Sequence, residues 1–298
     1  MAALKDIKRR IKSVNNTQKT TSAMKLVSTV KLKRSQEVAT QSRAYSQKLN
    51  EMLSTIARQI ETYRIGGIES RYFAPQDEKI EKVEKIDLIF VTADKGLCGG
   101  FNYRTIKTIS QKLEECRENK IKVRMRGIGK KGVEYFKFNR VELYDETIGL
   151  SSAPNFEKAK EHIAKSVGDY MKGLTDRVIL IYNGFRNMIS QEMREILLLP
   201  IDINRVEPIE ERSIIEFEPK GDETILNTLV ERYVEFNLYY ALIDSLAAEH
   251  SARMQAMENA TKNAKELART LTLQYNKARQ EAITTELSEI VSGAEAMK

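Results

Sequence analysis

Gly127, Gly129 and Gly132 stand at the G-x-G-x-x-G spacing of a dinucleotide-binding turn. In such a turn the missing side chains let a pyrophosphate approach the backbone at a helix N-terminus, where unpaired N–H groups and the helix dipole favour negative charge. Asp145 lies about where an acidic partner for a ribose is sought. The motif does not follow the first strand of its domain, and the helix after it is very short, so a plain strand-to-helix turn accounts for it better. A second glycine-rich loop runs from Asp94 to Asn102 and holds Cys98. It lacks the Gly-Lys-Ser/Thr ending that carries a lysine to a β- or γ-phosphate. Cys98 would be a nucleophile only with a stabilised thiolate, and the loop reads first as packing. With two histidines, His162 and His250, and two cysteines, Cys98 and Cys116, the chain is poorly equipped for a zinc site or a disulfide framework. His250 and the Met254/Met257 pair read as core residues of a helix. No cofactor and no metal are expected.

The elements that carry these residues are set by where the helix breakers fall. All five prolines and 13 of the 14 glycines lie between Gly66 and Gly221. Residues 1–65 and 222–292 contain none. If helical throughout, 222–292 would run roughly 100 Å at about 1.5 Å per residue, too long to be buried along its length in a domain of this size. Stepping alternately three and four residues from Leu226 gives Leu229, Tyr233, Phe236, Tyr240, Ile243, Ala247, His250, Met254, Met257, Thr261, Ala264, Ala268, Leu271, Tyr275, Ala278 and Ala282. That sustained 3.5-residue period predicts a left-handed coiled coil. Past Ala282 the register meets Thr285 and Glu289, so the last turns are expected to continue as a single helix. The N-terminal stretch begins cleanly with Leu4, Ile7, Ile11 and Val14, then passes polar Gln18 and Thr21 before Met24, Val27 and Val30. Its seam is ambiguous there.

Between the two stretches the pattern alternates. Strands are predicted at Ile86–Thr92, Ile121–Met125, Val141–Tyr144 and Arg177–Asn183, with extended segments at Ser190–Leu199 and Ile214–Phe217. Helices are predicted at Asn102–Glu118, Lys131–Phe136 and Asn155–Lys172. This favours a three-layer, partly parallel sheet. The expected organisation is an N-terminal coiled-coil helix at 1–65, a central α/β domain at 66–221 and a C-terminal coiled-coil helix at 222–298. The fold class is α/β, a long antiparallel coiled coil of N- and C-terminal helices plus a central Rossmann-like α/β domain.

Residues 1–58 carry 13 Lys/Arg against Asp6, Glu37 and Glu51, whereas residues 222–298 carry 8 Lys/Arg against 12 acids. A helix of net +10 beside one of net −4 suits side-by-side pairing. The basic start also fits a nucleic acid, an acidic membrane or an acidic protein partner. Aromatics at 7% and no Trp disfavour base-stacking platforms. No apolar run approaches the ~18 residues of a membrane-spanning helix.

Four segments carry a resemblance that covers the chain. Residues Ile7–Gln36, Ala93–Asn102, Glu249–Ala264 and Ile283–Ala294 closely resemble, in order, segments of the γ subunit of F-type ATP synthases. The resemblance implies a central rotor shaft that couples proton flow through the membrane ring to ATP synthesis or hydrolysis at the alpha/beta hexamer, with no catalytic site of its own. It implies alpha, beta and epsilon subunits and the c-subunit ring as partners, one copy per complex, no nucleic acid, and a peripheral place on the cytoplasmic face of a bacterial membrane. Cys98 and Cys116 precede the region where the chloroplast branch carries its cysteine-bearing insert, so no thiol switch is expected. Under this resemblance Lys8, Arg9, Arg10, Lys25 and Arg34 are candidates for contact with acidic loops, and Met24 and Arg253 for rotor contacts. Ala282, Ile283, Leu287 and Ile290 are candidates for an apolar tip. Each stands equally as an ordinary coiled-coil face residue.

Overall fold

In a computed structural model of the chain, residues 2–63, 71–73, 83–201 and 223–296 are described. They fall into two compact units, residues 1–29 with 253–298 and residues 30–252. The chain order is α1 (Ala2–Tyr63), β1 (Lys85–Val91), α2 (Phe101–Glu118), β2 (Lys122–Ile128), α3 (Lys130–Phe138), β3 (Leu143–Thr147), α4 (Phe156–Met171), β4 (Arg177–Phe185), β5 (Gln191–Leu199) and α5 (Glu223–Ala296). Every predicted element in the described residues is present. The extended segment expected at Ile214–Phe217 and the boundaries expected at 65/66 and 221/222 lie outside them.

In the 30–252 unit the sheet order is β3-β2-β1-β4-β5. The first four strands are parallel and β5 returns antiparallel on β4, so this is half of a doubly wound sheet closed by a hairpin. Alternation along the strands divides the core. Ile86, Leu88, Phe90, Ile179 and Ile181 face Ile109 of α2 and Phe136 of α3. Ile89, Val91, Val178, Leu180 and Tyr182 face Ile163 and Val167 of α4, and Val230, Val234, Leu238 and Leu242 of α5. α4 starts where the Asn155 side chain accepts from the Lys158 amide at 3.1 Å.

Charge is buried on the α4 face. The Asp87 carboxylate takes Arg124 Nε at 2.6 Å and Arg126 Nε at 2.9 Å. Arg126 also reaches Asp169 of α4 at 2.6 Å and Asp145 of β3 at 3.9 Å, and the ring of Tyr144 lies under both guanidinium groups. Asp145 is held by Lys165 at 2.8 Å, and His162 Nδ1 sits 3.0 Å from Thr147 Oγ1. Arg126 and Asp87 are fully buried. The cluster therefore ties three strands to α4 through one arginine. Burial, with the Arg126 and Lys165 charges adding to it against Asp145, pushes the His162 pKa down to about 4.

In the other unit the two long helices pair antiparallel. Thr21 meets Thr261, and Lys25 meets Glu258, so four residues on along α1 answers to three back along α5. The less exposed side chains of α1 between Leu4 and Ala23 are Leu4, Ile7, Ile11, Val14, Gln18 and Thr21. On α5 between Asn263 and Ile283 they are Ala264, Ala268, Leu271, Tyr275, Ala278 and Ala282. Both sets keep the 3.5-residue period. From Ile283 to Gly293 every side chain is exposed, as a single helix requires. Val27 and Val30 do not continue the seam: they are 56% and 71% exposed, while Ser28 is buried. The heptad runs through the small polar Thr21 and Ser28, whose hydroxyls can be buried because they reach the Gln18 and Met24 carbonyls of their own helix at 3.1 and 2.8 Å.

Two outcomes follow. Arg126→Leu leaves buried Asp87 with Arg124 as its one remaining cation, so urea unfolding should show a loss of about 3 kcal/mol, at the low end for a broken buried pair. His162 stays neutral in the folded chain while the unfolded chain binds its proton near pH 6.5. Stability held above pH 6.5 should therefore fall by about 3 kcal/mol as pH drops toward 4, and His162→Gln should flatten that part of a pH series of urea titrations.

Candidate functional site

Among the described residues the fold sets the glycine turn, Asp145, Cys98 and His250 in separate packing and ion-pairing roles. In the β1–β2–α3 corner the three glycines serve packing. A Cβ on Gly127 would lie 2.7 Å from the Phe90 ring, and one on Gly132 2.7 Å from both Phe90 and Thr92. Gly129, at φ +100°, would drive a Cβ into the Thr92 carbonyl. The place a pyrophosphate would take is filled from within. Asp94 Oδ1 accepts from the Lys130 amide at the start of α3 and from the Gly149 amide, both at 3.0 Å, and Oδ2 accepts from the Ser152 amide at 3.1 Å. Partial burial opposes its charge, but the Gly149 and Lys130 hydrogen bonds outweigh that and hold the carboxyl below its usual range. Asp145 belongs to the Arg126 cluster and is unavailable to a ribose.

Cys98 is buried with Ala93 and Phe101 against Ala248 and Ala252 of α5. Its sulfur accepts from Asn102 Nδ2 at 3.3 Å. The loop thus packs one end of the sheet on the long helix. His250 is buried on α5. Among the described residues no three His, Cys, Asp or Glu side chains are grouped to hold a metal, and no helix is long and apolar enough to cross a membrane.

The feature left over is the helix pair. Its two cross-links sit one turn apart. The Thr21 and Thr261 hydroxyls share a hydrogen bond across the seam at 2.7 Å, and each also reaches a carbonyl of its own helix, Gln18 at 3.1 Å and Met257 at 2.7 Å. Lys25 and Glu258, 3.4 Å apart, are partly exposed. The Lys25 hydrogen bond and charge, with Lys262 beyond, hold Glu258 below the usual carboxylate range. Lys8 and Arg10 are exposed, Arg9 pairs with Asp6 at 3.3 Å, Met24 and Ala282 are half-buried, and Arg253 is buried. Ile283, Leu287 and Ile290 are exposed. Arg34 is exposed in the other unit. A groove of about 950 Å³ follows α1 between Lys5 and Lys19, lined by Lys8, Arg9, Lys12 and Asn15.

The charge of this pair differs from the attraction expected of a basic helix beside an acidic one. Residues 1–29 carry seven Lys/Arg against Asp6 alone. Facing them, Arg253–Ala282 carries six Lys/Arg against Glu258, Glu266 and Glu281, a net +3. The remaining acids of the C-terminal stretch lie before Arg253 or beyond Ala282. Both flanks of the pair are basic, and the seam alone must hold them together. By sequence the whole net charge of +7 belongs to residues 1–29 with 253–298, while residues 30–252 sum to zero.

A sequence profile described as ATP synthase matches residues 3–297. The chain is 59% identical over its whole length to the "ATP synthase gamma chain" of Nitratiruptor sp., and 56% identical to that of Helicobacter pylori, with all of each relative covered. The chain belongs to the ATP synthase gamma chain family. The fold of this gamma-family chain also recurs in solved structures. It matches a chain of the Tetrahymena thermophila mitochondrial ATP synthase central stalk and c-ring at 25% identity, with a TM-score of 0.55 over 81% of this chain and 99% of that one. A chain of the Euglena gracilis mitochondrial ATP synthase in rotational state 3 matches at 18% identity with a TM-score of 0.65, over 99% and 95%.

Sequence reasoning missed how the gamma-family body grips α5. Val230, Val234, Leu238, Ala241 and Leu242 lie on the sheet. Asp244 pairs with Arg194 of β5, and Ser251 donates to the Met188 carbonyl at the β4–β5 turn at 2.9 Å. Tyr45 of α1 meets Phe236 of α5 with ring centroids 4.4 Å apart. The only early signal was the packing reading of the Cys98 loop.

Asp94→Asn keeps the shape but weakens the acceptor for the Lys130, Gly149 and Ser152 amides. A loss of about 1–2 kcal/mol is expected in urea unfolding at pH 7, at the low end because the carboxylate is half-exposed. The wild-type contribution is fully present above about pH 3.8 and is lost as pH falls through the lowered folded value, so the difference between the two proteins should vanish in strong acid.

Proposed function

We propose that this chain is the central rotor shaft of an F-type ATP synthase, coupling proton flow through the membrane ring to ATP synthesis or hydrolysis at the alpha/beta hexamer. The observation that carries this reading is the antiparallel helix pair, free of Gly and Pro along its seam, that holds all of the net positive charge. A rod meant to transmit torque must be stiff, and a supercoiled pair without breakers supplies that. It must also engage its surroundings unequally, and exposed Lys8, Arg9 and Arg10 against exposed Ile283, Leu287 and Ile290 make the two kinds of surface.

The reading has a division of labour, with helices at 1–65 and 222–298 as the shaft and 66–221 as its foot. Lys8, Arg9, Arg10, Lys25 and Arg34 meet acidic loops of the hexamer through charge-assisted bonds. Met24 and Arg253 take part in rotor contacts, and Ala282, Ile283, Leu287 and Ile290 form a bearing. The foot meets the epsilon subunit and the c-subunit ring on the cytoplasmic face of the membrane, one copy per complex. The chain contributes no catalytic group: nucleotide chemistry belongs to the hexamer. Support comes from the gamma chain names of its relatives and from the matching chain of the Tetrahymena thermophila central stalk and c-ring.

Ending the chain after Met254 spares Ala248, Ser251 and Ala252 on the body. In a reconstituted synthase this truncation should abolish proton-driven ATP synthesis while the body still folds by circular dichroism; full synthesis would sink the shaft reading. Reversing Lys8, Arg9 and Arg10 to Glu should lower coupled synthesis in the same assay, with the wild-type advantage shrinking as salt screens the contacts.

A further inference from the structure

Asp244 lies where α5 passes the β4–β5 hairpin. Its carboxylate takes Arg194 Nη1 at 2.7 Å. The same nitrogen lies 3.4 Å from Tyr182 Oη, and Nη2 donates to the Phe185 carbonyl at 3.4 Å. Asp244 is buried and Arg194 is only 31% exposed at its side chain. The strand has been opened to admit the pair. A Cβ on Gly184 would stand 2.5 Å from Asp244 Oδ2 and 2.9 Å from Arg194 Nε, so any larger residue at 184 would push the two apart.

On the N-terminal side of Asp244 the contacts of α5 with the sheet are made chiefly by aliphatic Val230, Val234, Leu238, Ala241 and Leu242, and two turns beyond it Ser251 donates to the Met188 carbonyl of the hairpin at 2.9 Å. Aliphatic packing of suitable volume holds a helix down but defines a unique setting weakly. A buried guanidinium–carboxylate pair has a far narrower geometry. Burial raises the Asp244 pKa in spite of Arg194, Arg43 and a backbone hydrogen bond at Phe185, with Glu192 adding to the rise. Burial also works against the Arg194 charge, yet Tyr182 and Asp244 hold its pKa above the ordinary value. A buried pair of this kind returns little net stability relative to apolar packing of the same volume, and what it adds is a defined geometry.

We propose that the Arg194–Asp244 pair is the key that fixes the rotational setting of α5 on the sheet, making both positioning residues for torque passing between body and helix. The first half stands on geometry alone; the torque step rests on the rotor reading. The test uses the full chain with spin labels at Lys107 on α2 and Thr228 on α5, and reads the distance distribution between them. Arg194→Met with Asp244→Leu should lose the single narrow distribution while its melting temperature stays level or rises. Arg194→Lys, which keeps the charge without the planar fork, should be intermediate. If the double variant does not fold, Asp244→Asn carries the same comparison. An unchanged distribution in the neutral variants overturns the key, whatever the complex does; so does broadening accompanied by a lowered melting temperature, which would make the pair a plain stabiliser. If the distribution broadens but proton-driven synthesis in the reconstituted complex is normal, the torque step falls and the key stands.

Discussion

Helices of 62 and 74 residues each carry a stripe of small and apolar side chains, and something must cover that stripe along its length. In proteins most of a helix's stability comes from packing its apolar face rather than from propensity. In the unit of residues 1–29 and 253–298 the only described cover for each helix is the other. In the unit of residues 30–252, α5 turns Val230, Val234, Leu238 and Leu242 to a sheet instead. The exclusion of Gly and Pro from both stretches follows from the same requirement, since a kink would lift the stripe off its partner. Small side chains at Ser28, Ala264 and Ala268 let the helices approach closely.

The α/β body shows what a glycine-rich turn becomes when the chain's own side chains fill the space its glycines clear. The turn after β2 keeps glycines at the dinucleotide spacing, yet Phe90 and Thr92 fill the space those glycines clear. The amides at the start of α3 keep their appetite for negative charge, and Asp94 satisfies it. The sequence motif and its structural context are therefore both present, while the vacancy that would make them a binding site is closed by the chain itself. What the body offers in its place is rigidity. Arg126 binds β1, β3 and α4 through three carboxylates, and Asp87, Asp145 and Asp169 satisfy a guanidinium that would otherwise be ruinous to bury.

How much of this was legible depended on whether a position is chosen for polarity or for size. The C-terminal seam could be followed from Leu226 to Ala282 because its members are apolar or small; exposure follows that register from Ala264 to Ala282, whereas before Arg253 the helix is buried on most sides and turns Val230, Val234, Leu238 and Leu242, off the register, to the sheet. The N-terminal seam was lost after Val14, because Gln18, Thr21 and Ser28 are polar while Leu26, Val27 and Val30, which catch the eye, point to solvent. The strands were legible from their apolar runs. The Arg126 cluster was not, for its members come from β1, β2, β3 and α4 and meet only through the register that sets Asp87 beside Arg124 and Ile89 beside Arg126. Arg194 and Asp244 are fifty positions apart and look like any surface charges until the hairpin brings them together.

Charge completes the physical case. A helix pair that is basic on both flanks gains nothing from its own electrostatics; net like charge weakens a compact association. Lys25–Glu258 is one partly exposed cross-helix pair, and solvent screening leaves such a pair little to contribute. The seam must therefore hold the helices together against a residual repulsion that salt screens only beyond about 8 Å. Such an arrangement is poorly suited to a coil held together by its own charges. The charge of residues 30–252 is balanced while that of residues 1–29 with 253–298 is not, and the excess is written in residues that sequence periodicity alone would have assigned to a solvated face.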